Sequence, residues 1–267
     1  MRKMCTLILR TFMLALLGSL FNVAVVQAEP IYAYIELVEG AVSIVDTKGQ
    51  ARIPHVNDVI EVGETVLIGR NGELQARTED HGYVSFRANT KLKIESYLAV
   101  GGKEDNAVVS LLYGTLRSIT GWIGKSNPSQ YVIKTPNATL GIRGTDHEPL
   151  VILPPAAGET AIAPHGTYEK VNEGATVLKN AAGQTVVNAN EAAFSPHDAK
   201  SAPKKLERIP EIYKKTANEA RIDARSKELA KEVEERRLQK QKEVKAKKEE
   251  ARKKNATEKK HRSPSEK

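Results

Sequence analysis

The chain has 267 residues, 41 Lys and Arg against 33 Asp and Glu, a formal net charge of +8 and a single cysteine. That length suits one substantial domain with appendages, and with Cys5 as the only cysteine the remainder has no disulfide, thiol chemistry or cysteine metal site. The charge is uneven: from Lys204 onward there are 23 Lys and Arg against 13 Asp and Glu, whereas residues 29–203 hold 15 against 20. An acidic body therefore carries a basic tail, an asymmetry that points to an electrostatic partner for the tail.

Arg2, Lys3 and Arg10 precede an apolar run over residues 11–26, and Val26-Gln27-Ala28 places small residues at the −3 and −1 positions of a cleavage site. Residues 1–28 therefore read as a signal peptide cut after Ala28. The run is short and mixed for a membrane span, so the mature form is expected to have none. Cys5 lies ahead of the run, on the wrong side for lipid attachment. The expected location is periplasmic, with an extracellular one as the alternative.

Residues 29–199 read as an all-β domain. Short apolar or alternating stretches fall at 31–38, 41–45, 59–60, 65–68, 73–78, 83–88, 91–97, 107–112, 114–119 and 131–134, with turn residues between them. No long segment here has helical periodicity. Glu39-Gly40-Ala41-Val42-Ser43-Ile44 with Gly49-Gln50 recurs, 134 positions on, as Glu173-Gly174-Ala175-Thr176-Val177-Leu178 with Gly183-Gln184. Stacked short strands in a β-solenoid or roll would explain such a pair. Residues 150–167, with Pro154, Pro155 and Pro164, read as a surface loop, and 168–194 as the last strands.

The stretch 131–148, YVIKTPNATLGIRGTDHE, organises the domain. Gly141 and Gly144 suit positive φ or close approach of neighbouring chain, and the Arg143 fork is expected to tie nearby carboxylates such as Asp146 or Glu148. A partner contact is the other role open to Arg143. Asp146-His147-Glu148 is a poor metal site, because His147 on a strand points away from both neighbours. Trp122, the only tryptophan, reads as a core plug or as an exposed contact for a glycan or partner. There is no Gly-x-Ser-x-Gly, no HExxH and no phosphate loop, so neither an enzyme nor a cofactor is expected.

Thr135-Pro136, Ala138 and Gly141-Ile142-Arg143-Gly144-Thr145 resemble the most recognisable stretch of the FecR domain family. Gly40-Ala41-Val42, Val62-Gly63-Glu64-Thr65-Val66 with Gly69, Gly82-Tyr83-Val84, residues 89–94, residues 112–117 and Glu173-Gly174 match in the same order, so the resemblance covers residues 36–195. It implies a β-solenoid-type domain working outside the cytoplasm. The best-known members control a sigma factor from a cytoplasmic segment ahead of a membrane helix. Only about ten residues precede the apolar run here, so a stand-alone exported member is expected.

Pro203 and Pro210 mark a linker over residues 200–210. Residues 211–254 lack Pro and Gly, are rich in Lys, Glu, Arg and Ala, and read as a basic, solvated, coiled-coil-like helix without a persistent seam. Residues 255–267 read as disordered. The expected function is a non-enzymatic protein-interaction or signalling module of the envelope. The alternative is a cell-wall or glycan-associated module anchored by the tail. Partners would be an envelope protein or wall polymer, with the tail on an anionic surface; export argues against nucleic acid.

Overall fold

The computed structural model describes residues 29–155 and 162–262; the leader expected at 1–28 and the chain end at 263–267 lie outside them. Short strands form two sheets over one apolar core. In spatial order the first sheet holds β4 (Val59–Glu61), β1 (Ile31–Glu39), β6 (Glu73–Thr78), β7 (Tyr83–Phe86), the second half of β9 (Asn106–Ile119), β12 (Asp146–Ile152), β13 (Gly166–Glu173), β16 (Ala192–Pro196) and β17 (Lys204–Lys205). The second holds β3 (Ala51–Arg52), β2 (Val42–Val45), β5 (Thr65–Ile68), β8 (Thr90–Leu98), the first half of β9, β10 (Tyr131–Lys134), β11 (Thr139–Ile142), β14 (Ala175–Asn180) and β15 (Gly183–Asn188).

Alternation decides which side chains meet. From the first sheet Ile35, Leu74, Val84, Phe86, Leu116, Val151 and Val171 enter the core. From the second come Ile44, Val66, Leu92, Ile94, Val109, Ile133, Leu140 and Leu178. The segments read separately at 107–112 and 114–119 are one strand, β9, shared by both sheets. Gly114 makes that crossing: its φ is +90°, and a Cβ there would lie 2.3 Å from the Asn89 carbonyl oxygen.

The all-β expectation for the domain holds, but the parallel rung-on-rung pairing of a solenoid is not seen. Among the described residues β9–β10 is the one parallel pairing, because tight turns reverse the chain between most neighbours. The 134-residue repeat is a repeat of path. β1 turns at Gly40 (φ +64°) into the β2–β3 hairpin and returns as β4 beside β1. β13 turns at Gly174 (φ +83°) into the β14–β15 hairpin and returns as β16 beside β13. The two copies lie towards opposite ends of the paired sheets.

One element goes beyond the sequence reading, and two expectations change. The Gly-rich stretch after β9 contains a short helix, α1 (Trp122–Ser126). The loop expected over 150–167 is shorter, because β12 runs on to Ile152 and β13 begins at Gly166. The tail helix, α2 (Glu219–Arg262), starts later than residue 211 and continues where disorder was expected from 255. It is also not solvated along its whole length: Ile222, Leu229 and Val233 are buried, and Arg237, Lys240, Gln241 and Val244 are half-buried on the same stripe.

Gly114→Val should destabilise the domain by at least ~2 kcal/mol, since a β-branched residue fits neither the positive φ nor the space. Urea denaturation of the variant checks this.

Candidate functional site

The Thr-Pro-Asn-Ala turn between β10 and β11 is a structural fastening. Thr135 Oγ1 donates to the Ala138 carbonyl and accepts from the Ala138 N–H, both at 3.0 Å. Asn137 Nδ2 donates to the carbonyls of Ser195 (3.1 Å) and Pro196 (2.8 Å), and Thr167 Oγ1 donates to Asn137 Oδ1 at 2.7 Å. The turn thereby ties the end of β16 to the second sheet, with Pro136 exposed at its tip and Ala138 buried. Ile142 is in the core, and Thr145 exchanges backbone and hydroxyl bonds with Thr120. Gly144 has φ +65°, as expected; Gly141 does not have positive φ, and a Cβ there would meet nothing nearer than Val177 Cβ at 4.0 Å.

Arg143 does not tie Asp146 or Glu148. It is exposed and makes no hydrogen bond or ion pair with another described residue. The reason is geometric. Asp146 and Glu148 point outward from the first sheet, towards α2, and other cations already hold them. Arg117 on β9 donates to both Asp146 oxygens at 3.1 and 2.7 Å and contacts Asp223 of α2 at 2.7 Å. Arg87, just past β7, donates to Glu148 at 2.6 Å and to both oxygens of Glu219 at 2.7 Å. Lys170 on β13 completes Glu148 at 2.6 Å. His147 faces the other way, into the inter-sheet core, with Nδ1 2.8 Å from Glu169 Oε1.

This ladder is the most charged buried region described. Burial pushes the Glu148 carboxyl up, but Arg87, Lys170 and Asn172 outweigh it and hold the group at about 2. Burial likewise works against the charge on Arg87 and Arg117, while their carboxylate partners hold both above the ordinary arginine value. Glu219 has a second task. It forms a reciprocal capping pair with Thr216, whose hydroxyl accepts from the Glu219 N–H at 3.2 Å while Glu219 Oε2 accepts from the Thr216 N–H at 3.4 Å. The same carboxylate that starts the helix docks it.

Trp122 is a core plug, 5% exposed, with its indole N–H donating to Asp105 at 2.9 Å. Buried Asp80 holds α1 in place: its carbonyl accepts from the Trp122 N–H and its carboxylate from Ile123 N–H, Thr78 and Tyr97. Burial raises the Asp80 carboxyl against those bonds. Trp122 also floors a cleft of about 380 Å³ between the 101–105 loop and α2, rimmed by Lys103, Arg237, Lys240 and Lys248. Among the described residues no cluster of His, Cys, Asp and Glu suits a metal ion.

A family model described as FecR protein aligns with this chain over residues 64–160, from the start of β5 past the end of β12. That segment is similar to the FecR family. The GIRGT motif, the Thr-Pro turn and the carboxylates of β12 all lie inside it, while β1–β4 and β13–β17 complete the same two sheets from outside. Two crystal structures described as a candidate anti-sigma factor from Parabacteroides distasonis overlay with TM-scores of 0.40 and 0.41, at 10% and 11% identity. Each overlay covers 54% of this chain, and this chain spans 59% of the crystallised one. A structure described as a cell surface anchoring domain gives a TM-score of 0.22 at 28% identity, over 23% of this chain and 80% of that one. At such scores the overlays carry no functional argument. No curated protein matched the chain.

Arg87→Ala would leave Glu148 and Glu219 buried with less compensation and should cost ~3–5 kcal/mol, read by thermal or urea unfolding. Because Glu148 is depressed in the folded state from its ordinary 4.5 to about 2, its contribution is complete above about pH 4.5 and lost as pH falls towards 2. Glu148→Gln should flatten the stability profile in that window.

Proposed function

We propose that this chain is a non-enzymatic interaction or signalling module of the cell envelope, working in the periplasm after removal of residues 1–28. The observation that carries the reading is the FecR-like segment over residues 64–160, set in a domain whose buried arginines, Arg87 and Arg117, are paired with carboxylates. The leader-like sequence supports the location. No helix among the described residues is long and apolar enough to cross a membrane.

A second reading, a module held on cell-wall or other anionic material, is favoured by the far end of α2. Residues 245–255 are exposed and carry six Lys and Arg against two Glu. At about 1.5 Å per residue, the part of α2 beyond Val244 reaches ~27 Å past the packed stripe.

The two readings separate in cells. In-cell crosslinking should give a discrete adduct containing a second protein, with Glu29 as the mature N-terminus. Recovery of wall polymer alone, released by salt and lost on deletion of residues 245–267, would favour the second reading. An unprocessed N-terminus at Met1 would contradict the location.

A further inference from the structure

Gly141 is a glycine that the fold does not require. Its φ is not positive, and the space outside it is open. The sheet register shows what surrounds it. On the outer face of the second sheet, Val108 of β9 lies opposite Val132 of β10, Val132 opposite Gly141 of β11, Gly141 opposite Val177 of β14, and Val177 opposite Val186 of β15. Their neighbours along each strand, Val109, Ile133, Leu140, Leu178 and Val187, are buried in the core, so this row points to solvent. Four of its members are half-exposed and Val186 is 48% exposed. The result is an apolar band about 19 Å long, at ~4.8 Å per strand, with a notch at Gly141.

Cations flank the band. Arg143 follows Gly141 on the same face, exposed and without a partner among the described residues. On the other side lie Lys134 and Lys179, opposite one another's neighbour Thr139, with Lys93 beyond them opposite Ser110. The one carboxylate among them, Glu95, is held by Lys134 and Ser110 at 2.5 Å each. The chain's own basic tail is electrostatically unsuited to such a face.

We propose that this face docks an acidic, amphipathic protein segment: an apolar ridge seated along the valines, one bulky side chain in the Gly141 notch, and carboxylates meeting Arg143, Lys179 and Lys93. The inference deepens the interaction-module reading and rests on it. It accounts for Gly141 and Arg143 together, as groups kept for what lies outside the domain.

The test uses the mature chain and a 14-residue helical peptide with a leucine ridge, one central phenylalanine and flanking glutamates, read by fluorescence anisotropy. A lysine-flanked version is the control. The acidic peptide should bind and the basic one should not. Gly141→Leu and Arg143→Glu should each weaken binding about tenfold or more, with melting temperatures unchanged because neither residue is tied into the fold. Absence of acidic-peptide binding, equal binding of both peptides, or unaltered binding in both variants would overturn the proposal. So would a concentration-dependent dimer of the wild type that Gly141→Leu dissociates, since the occupant would then be a second copy. The assay is independent of cellular location, so its failure is distinguishable from failure of the envelope reading.

Discussion

Arg87 is where three parts of the molecule meet. Its guanidinium joins Glu148 of β12 to Glu219 at the start of α2, and both carboxylates are fully buried. Buried charges are tolerable only when paired and hydrogen-bonded. The outer face of the first sheet could not carry Arg87, Arg117, Asp146, Glu148 and Lys170 under cover unless they neutralised one another. Their mutual neutralisation lets the chain fold its own tail over them. Ile222 and Leu229 then pack on Tyr83, and Ile119 packs beside them, adding apolar burial to the ion pairs.

The two outer faces are consequently unlike. The first sheet is closed by α2, with its charges matched and its strand β12 buried on both sides. The second sheet remains open, with a valine band, a notch and a surplus of cations. A module with one face sealed by its own helix and the other left half-exposed has a defined side to present. The GIRGT motif straddles this division: Ile142 and Thr145 look inward, and Gly141 and Arg143 look outward.

Much of the fold was legible in the sequence, for local reasons. Alternation and turn residues marked most strands, and the Gly40 and Gly174 copies marked two equivalent paths. The helix of the tail followed from composition. Other features depended on distance. Arg87 and Glu219 are 132 residues apart, so no local pattern announces their pairing; the readable hint was Thr216-x-x-Glu219, a capping box just ahead of Ile222. The expected bond from Arg143 to Asp146 or Glu148 was reasonable by proximity in sequence. It failed because strand alternation and the cross-strand position of Arg117 and Arg87 decide which cation each carboxylate meets. Trp122 was legible only as one of two alternatives until Asp105 was seen to accept its indole N–H.

Hydrogen exchange along α2 tests the central claim most directly. If the Arg87 clamp makes the first part of the helix an integral element of the domain, amides from Glu219 to about Val244 will exchange slowly, and those beyond it will exchange fast. In Arg87→Ala the protection of the first part will be lost while the β core stays protected. Fast exchange from Glu219 onward in the wild-type protein would contradict the account, because the helix would then be an independent tail.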